Sequence, residues 1–367
     1  MKICFLSLNS YPLLKRKNYG YVGGAEVEQV YLGMQLASQG HDVTFVTYNY
    51  GQNQMENVNG IKIIGTYNRE KAEEINAISK YVYLLSASRK ADAEIYFHEA
   101  GSYGVLPIFC HVHGKKFVHR IASDAIVLGA SLERETGFVE KFSEMLENRK
   151  ADFVIAQSNF QSRILNERFG VKNAVIKNGI LIPEGDCKKS NPPVVLWVGS
   201  ISSVKSPKIF IELAKSIPFA QFEMIGGRTN REPQLYDEVV ADAQNLSNLT
   251  FHGFVPHHKV NQYFKKASIF VNTSRLEGFP NTFIEAWAQY IPVASLHVDP
   301  DNIILNEKLG FCSGTFKQLF SDINTLLMDE RLRRIMGEKA RKYVEREHDI
   351  TKNVNEYSKI FEAITNG

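Results

Sequence analysis

Apolar residues in the first half of the chain come in short runs separated by longer stretches with helical spacing. Residues 2–8 form a compact apolar run that reads as a buried strand. Val27, Val30, Tyr31, Met34 and Ala37 recur at helical spacing, and Gly40 supplies a C-terminal stop. Residues 43–47, rich in β-branched side chains, are the next strand. Further strands are predicted at 61–66, 94–97, 117–121 and 153–156, with helices at 70–89 and 132–149 in the gaps. Strands separated by helices imply right-handed βαβ crossovers and a parallel sheet.

The second half repeats this logic. Residues 194–198 are a strand, and 207–217 read as a helix with Ser206 at its N-cap and Pro207 at its first position, where a missing N–H does no harm. Strands follow at 222–225, 249–252, 269–272 and 293–296, and residues 331–365 are helical and charged. A polar, proline-bearing segment at 182–193 joins the halves. The expected architecture is α/β, with two Rossmann-like domains whose parallel sheets face a central cleft. Ligands of such sheets bind outside the carboxyl ends of the strands, so functional residues are sought just after strands.

Composition agrees with this picture. A chain of 367 residues is about two domains long. With 44% hydrophobic and 23% charged residues, it is neither disordered nor fibrous. A formal net charge of +3 lacks the basic face that a nucleic-acid binder needs. The basic triplet Lys15-Arg16-Lys17 reads as a solvated loop or as a contact for anionic lipid or a phosphorylated acceptor. Cys4, Cys110, Cys187 and Cys312 form no CxxC and no zinc-like spacing, which fits a reducing compartment. The opening MKICFLSLNSYP is too short and too polar for a signal-peptide core, and no run approaches the roughly 18 apolar residues of a membrane span. A cytoplasmic protein is expected, with at most peripheral contact on the inner face of the membrane.

Three loops carry candidate chemistry. After the strand at 269–272 comes Arg275-Leu276-Glu277-Gly278-Phe279-Pro280-Asn281-Thr282-Phe283-Ile284-Glu285, which opens a helix. Gly278 permits close backbone approach, and the N–H groups around Pro280, Asn281, Thr282 and Phe283 favour an anion. Glu277 and Glu285 are each suited to a pair of sugar or ribose hydroxyls, or else are a loop acid and a helix-surface acid. After the strand at 194–198, Gly199 and Ser200 lead to Lys205 beside a helix start, a place for a diphosphate or for a solvated lysine. Third, Gly20-Tyr21-Val22-Gly23-Gly24 opens the first helix, but it lacks GxGxxG and argues against a nicotinamide-dependent dehydrogenase.

Taken in order, these loops resemble the retaining glycosyltransferases of the GT-B fold, family 4. The resemblance covers nearly the whole chain. Its strongest part is the E-x7-E pair Glu277 and Glu285, flanked by residues 267–272 and by Pro292-Val293. It also takes in residues 198–205, Lys177-Asn178-Gly179-Ile180, His252-Gly253-Phe254-Val255 and Gly23-Gly24. The resemblance implies an acceptor-side domain at 1–182, with a helix at 351–367 packing back on it, and a donor-binding domain at 183–350. It implies that Glu277 contacts the transferred sugar, Glu285 the ribose, Lys205 the phosphates, and Val255 the base. Gly23 and Gly24 would face the diphosphate, as would the backbone of Gly278, Phe279, Pro280 and Asn281. It implies a UDP- or GDP-linked sugar co-substrate ahead of an ADP-linked one, no cofactor and no metal. The acceptor would be a glycan or lipid-linked glycan, in surface polysaccharide biosynthesis.

This chain departs from the family pattern at three places. Ser200 stands where an Arg is usual, leaving Arg275 or Arg228 to supply the second charge. Tyr290 replaces a small residue two positions before Pro292. The strand end after 117–121 carries Ser123 and Asp124 instead of a His, and His98 is the nearest histidine at a comparable strand end. Asp124 would orient or deprotonate the acceptor, or Ser123 or Asp124 would cap a helix; His98 is acceptor-side or structural. Two rival readings remain: a non-catalytic nucleotide-sugar-binding subunit, favoured by Ser200, and a nucleotide-sugar 2-epimerase, disfavoured by the Glu277 loop.

Overall fold

The computed structural model describes residues 1–16, 23–99, 103–128, 138–185, 187–229 and 231–366. The chain divides into two compact units. The first takes Met1–Lys17, Val22–Leu181 and Ile350–Gly367, and the second holds Ile182–Asp349.

The first unit is built on an eight-stranded sheet: β1 (Lys2–Leu6), β2 (Asp42–Asn49), β3 (Met55–Val58), β4 (Ile61–Asn68), β5 (Ile95–His98), β6 (Lys116–Arg120), β7 (Phe153–Ala156) and β8 (Asn173–Val175). Their spatial order is β3-β4-β2-β1-β5-β6-β7-β8. Every described pairing is parallel except β3 with β4. That hairpin corrects the expectation of a purely parallel sheet. Asn59 and Gly60 both take positive φ at its turn, a pair that supports the tight turn of a two-residue hairpin. The predicted helix at 70–89 starts later, at Ala77, because Asn76 accepts a hydrogen bond from Ser79 N at 2.9 Å and caps Ala77–Ala91. The predicted helix at 132–149 is observed as Phe138–Lys150; residues 132–137 lie outside the described residues.

The core of this unit stacks Phe5 on Phe45 and, from the helix Ile350–Thr365, adds Tyr357 and Phe361 beside Phe97. The C-terminal helix is therefore part of this core, although more than 160 residues separate it from β8. Gly179 is in contact with this helix, since a Cβ there would lie 2.9 Å from Ile350 Cα.

The second unit has six parallel strands: β9 (Val194–Val198), β10 (Gln221–Ile225), β11 (Leu249–Phe251), β12 (Ile269–Asn272), β13 (Val293–Ser295) and β14 (Gly310–Cys312), in the order β11-β10-β9-β12-β13-β14. In each sheet the winding reverses once, at β1 and β5 in the first and at β9 and β12 in the second. Loops leaving two adjacent strands at such a reversal diverge and leave a crevice between them. No helix among the described residues is long and apolar enough to cross a membrane.

Candidate functional site

In the second unit the loops after β9 and β12 are stitched together at the reversal point. The indole N–H of Trp197 donates to Thr273 Oγ1 at 2.9 Å, and the Thr273 hydroxyl donates to the Lys205 carbonyl at 2.7 Å. Arg275 N donates to Val204 O at 2.8 Å. Those backbone ties place the Lys205 ammonium in an ion pair with the Glu277 carboxylate. Both side chains are largely buried, 28% and 13% exposed, so their attraction is screened less than that of a surface pair.

Lys205 ends a short 3-10 turn, Ser203–Lys205, whose start is fixed by Glu232 accepting from Ser203 N at 2.7 Å and Ser203 Oγ at 2.6 Å. Ser206 does not act as the expected cap. It holds the N-cap position of Pro207–Ser216 with φ 48° and makes no side-chain cap; its hydroxyl donates back to Ser203 O at 3.0 Å. Its left-handed backbone differs from the extended conformation of a capping residue. Gly199 is the exit from β9, and Gly226 packs so close that a Cβ on it would lie 2.6 Å from Gly199 O. Ser200 is half-buried beside it.

The helix Asn281–Ala288 begins after Pro280 with no side-chain cap. Of the N–H groups expected to point outward, that of Phe283 is already used by Pro280 O at 3.0 Å. Thr282 lies in this first turn. The Phe279 ring is turned inward, 4.9 Å from His348 and 6.3 Å from Trp287, so only the Phe279 backbone belongs to the loop surface. Gly278 and Pro280 are buried with it.

Glu285, one turn into that helix, meets a residue the sequence reading missed. His257 Nε2 lies 2.8 Å from Glu285 Oε1. Burial pulls the His257 pKa down, but the hydrogen bond and charge of Glu285 outweigh it and leave the net shift upward. His257 is the first residue of the helix His257–Lys266, directly after Pro256 and Val255, so the pair ties the Val255 segment to Glu285. The signal was its place two residues after Val255, in a loop already singled out. Arg228, considered as a second charge near Ser200, is engaged elsewhere: it pairs with Asp237 and lies 4.8 Å over the Tyr236 ring. Arg275 is exposed.

In the first unit, Gly23 is the N-cap of Gly24–Ser38 with φ −92°, a conformation open to any residue. Gly20, Tyr21 and Val22 lie outside the described residues. Asp124 is the first residue of Asp124–Leu128 and accepts from Gln161 Nε2 at 2.9 Å, while Ser123 Oγ accepts from Ala125 N at 3.3 Å in the capping role.

His98 is not at the surface. It is fully buried at the end of β5, with Nδ1 3.2 Å from Glu147 Oε1 and its ring stacked on His119. Burial lowers the His119 pKa to about 4. Next to it lies an ionic network that the sequence reading missed. Arg120 donates to Glu99 Oε1 at 2.6 Å and Asn178 Oδ1 at 2.7 Å, and Glu28 accepts from Gly179 N at 3.0 Å. Burial raises the pKa of Glu28 to about 7 and of Glu99 to about 8, against the opposing charge of Arg120. Their signal was position: Glu99 and Arg120 stand at strand ends, and Asn178 lies in a singled-out segment.

Residues 22–181 match the family model described as Glycosyltransferase Family 4, and residues 182–343 match Glycosyl transferases group 1. An uncharacterized glycosyltransferase of Methanocaldococcus jannaschii is 28% identical over 235 residues; the match spans 60% of this chain and 61% of that relative. Sucrose-phosphate synthase from Thermosynechococcus elongatus has the same fold, with TM-score 0.82, 20% identity, and coverage of 99% of this chain and 98% of that one. The Anabaena protein HepE, solved in complex with UDP and glucose, superposes with TM-score 0.75 at 17% identity over 99% of both chains.

Proposed function

The chain belongs to the family-4 glycosyltransferases of the GT-B fold, and from that premise we propose that it moves a sugar from a nucleoside-diphosphate donor to a glycan or lipid-linked glycan, with retention at the anomeric carbon. The observation that carries this reading is the Lys205–Glu277 pair at the sheet reversal of the second unit, followed by Glu285 one turn into the next helix and paired with His257. Lys205 would neutralise the departing diphosphate as charge develops there, the kind of preorganised stabilisation that lowers a barrier most. Glu277 would accept hydroxyls of the transferred sugar, and Glu285 those of the ribose, with Val255 beside the base. The uncapped start of Asn281–Ala288 would add its dipole.

In the transfer, the bond from the anomeric carbon to the diphosphate oxygen breaks and a bond from the acceptor oxygen to that carbon forms on the same face. The acceptor proton passes to the diphosphate oxygen that leaves. This route asks for no metal and no enzyme nucleophile at the donor site. Asp124 would orient the acceptor hydroxyl. Because Asn keeps the hydrogen bond to Gln161 without the charge, Asp124→Asn should keep fold and donor affinity and lose most turnover. A fully active Asp124→Asn enzyme would remove Asp124 from the mechanism.

We place the reaction in the cytoplasm, at most in peripheral contact with a membrane, and in the building of surface polysaccharide. The donor is tested by a thermal-shift panel of UDP, GDP and ADP and their sugars. UDP compounds come first because the Anabaena neighbour was solved with UDP. A true donor raises the melting temperature in proportion to occupancy. No shift with any of them would refute the donor site. A second reading, a non-catalytic donor-binding subunit, draws on Ser200 and on the engagement of Arg228 by Asp237. Slow hydrolysis of the bound donor without acceptor marks the enzyme; binding without any hydrolysis or transfer marks the subunit.

A further inference from the structure

We propose that His98, His119 and Glu147 of the first unit hold a divalent first-row metal ion, zinc by the chemistry of the donor set. The parallel register of β5 and β6 sets His98 beside His119, and the two rings stack at 5.8 Å with 10° between their planes. Glu147 comes from the helix Phe138–Lys150 and closes the group from the side. One ligand atom from each of the three residues lies within 4.8 Å of the others, and all three side chains are buried.

Hydrogen bonds to the outer atoms fix what faces inward. His119 Nδ1 lies 3.0 Å from Asn148 Oδ1, an atom that can only accept, so Nδ1 carries the proton and the Nε2 lone pair is left over. That Nε2 has no hydrogen-bond partner among the described residues, and neither has Glu147 Oε2; both are buried. Glu147 Oε1 meanwhile accepts from Tyr103 N at 2.9 Å, which orients the carboxylate. Among the described residues, the buried imidazole lone pair and carboxylate oxygen are two acceptors without a donor. A divalent cation satisfies both at once. Two imidazoles and a carboxylate are ligands that zinc takes, and an imidazole whose other nitrogen donates to an amide oxygen is the usual second layer of such a site. The three ligands are buried, and a bound ion would pin the helix Phe138–Lys150 to the carboxyl ends of β5 and β6, with a water completing its four-fold coordination. It lies in the first unit and is independent of the donor site proposed above.

The test is metal content, not activity. Full-length protein from zinc-supplemented cells should retain about one zinc per chain through dialysis, by elemental analysis. Cobalt-substituted protein should show visible ligand-field absorption. A strong chelator should lower the melting temperature, and zinc but not magnesium should restore it. His119→Ala should lose the metal. Asn148→Ala, which leaves all three ligands in place, should weaken zinc 10- to 100-fold by freeing the His119 ring. Wild-type protein that takes up neither zinc nor cobalt overturns the proposal, as does zinc bound equally well by His119→Ala.

Discussion

Lys205 and Glu277 form a half-buried ion pair at the end of two loops, with each charge held in place by the other. Such a pair is prepared for a ligand that carries both anionic phosphate and sugar hydroxyls, because one partner can turn to each. If Lys205 acts on the leaving diphosphate, Lys205→Ala should reduce kcat about 100-fold, the scale seen when one preorganised donor is lost, with a smaller change in affinity for the nucleoside diphosphate. Steady-state kinetics with the donor found by thermal shift will separate the two; an unchanged kcat would leave Lys205 as a structural residue. Glu285 offers a second residue-level test. Glu285→Ala removes a charged acceptor and should weaken nucleoside diphosphate binding by roughly 1.5–3 kcal/mol, measured by calorimetry. The same variant takes away the group that raises the His257 pKa, so a ring titration followed by NMR should move downward.

At the scale of elements, the helix that carries Glu285 is held from behind by the long helix Glu330–Glu347. The Trp287 ring meets Tyr343 at 5.6 Å, and Gly337 lies where a Cβ would stand 2.2 Å from the Tyr290 carbonyl. Tyr290 itself takes φ 58° as the chain leaves the helix, so that carbonyl is set by a tight turn and has little freedom to retreat. The residue that departs from the family pattern at 290 is thus the one against which Gly337 packs. Gly337→Ala should cost about 1–3 kcal/mol of stability by overpacking, read from urea denaturation. It should also weaken donor binding without touching any proposed ligand contact. An alanine variant as stable as the parent would show that the two helices slide apart freely.

Across the first unit as a whole, Glu28 is the tie between distant segments. It sits on the first long helix, accepts from Gly179 N, and faces Arg120, Glu99 and Tyr357. Burial raises its pKa from the ordinary carboxylate value to about 7, with Arg120 opposing. Between about pH 4.5 and 7 the folded protein therefore holds a proton that the unfolded chain releases. Stability from this group is present at the acid end and is lost as pH rises through 7, by at most about 1.4 kcal/mol per pH unit. Glu28→Gln, which cannot titrate, should lack that component. The stability difference between the two proteins, measured by denaturation across this range, should move toward the variant with rising pH. A difference that stays constant with pH would show that Glu28 is ionised throughout.

Periodicity in the sequence was enough to establish the α/β class and most strands, because buried parallel strands are unbroken apolar runs and need no partner to be recognised. The order of the loops around Gly23, Lys205, Glu277 and Glu285 was enough for the family, since those loops are read as sequence whatever their neighbours. The three-residue strands β8 and β14 were not legible, although β11 and β13, equally short, were. The β3–β4 hairpin was signalled only by Asn59-Gly60. What needed the tertiary structure was every pairing across long sequence separations. His257 finds Glu285 over 28 residues, Gly179 finds Glu28 over 151, and the final helix enters a core begun at Ile3. For His98 the sequence left an acceptor-side and a structural reading open; the fold shows it buried against His119 and Glu147. The reason is physical: local spacing records which face of an element is apolar, whereas the partner of a buried polar atom is set by sheet order and helix placement, and those are properties of the whole packed chain.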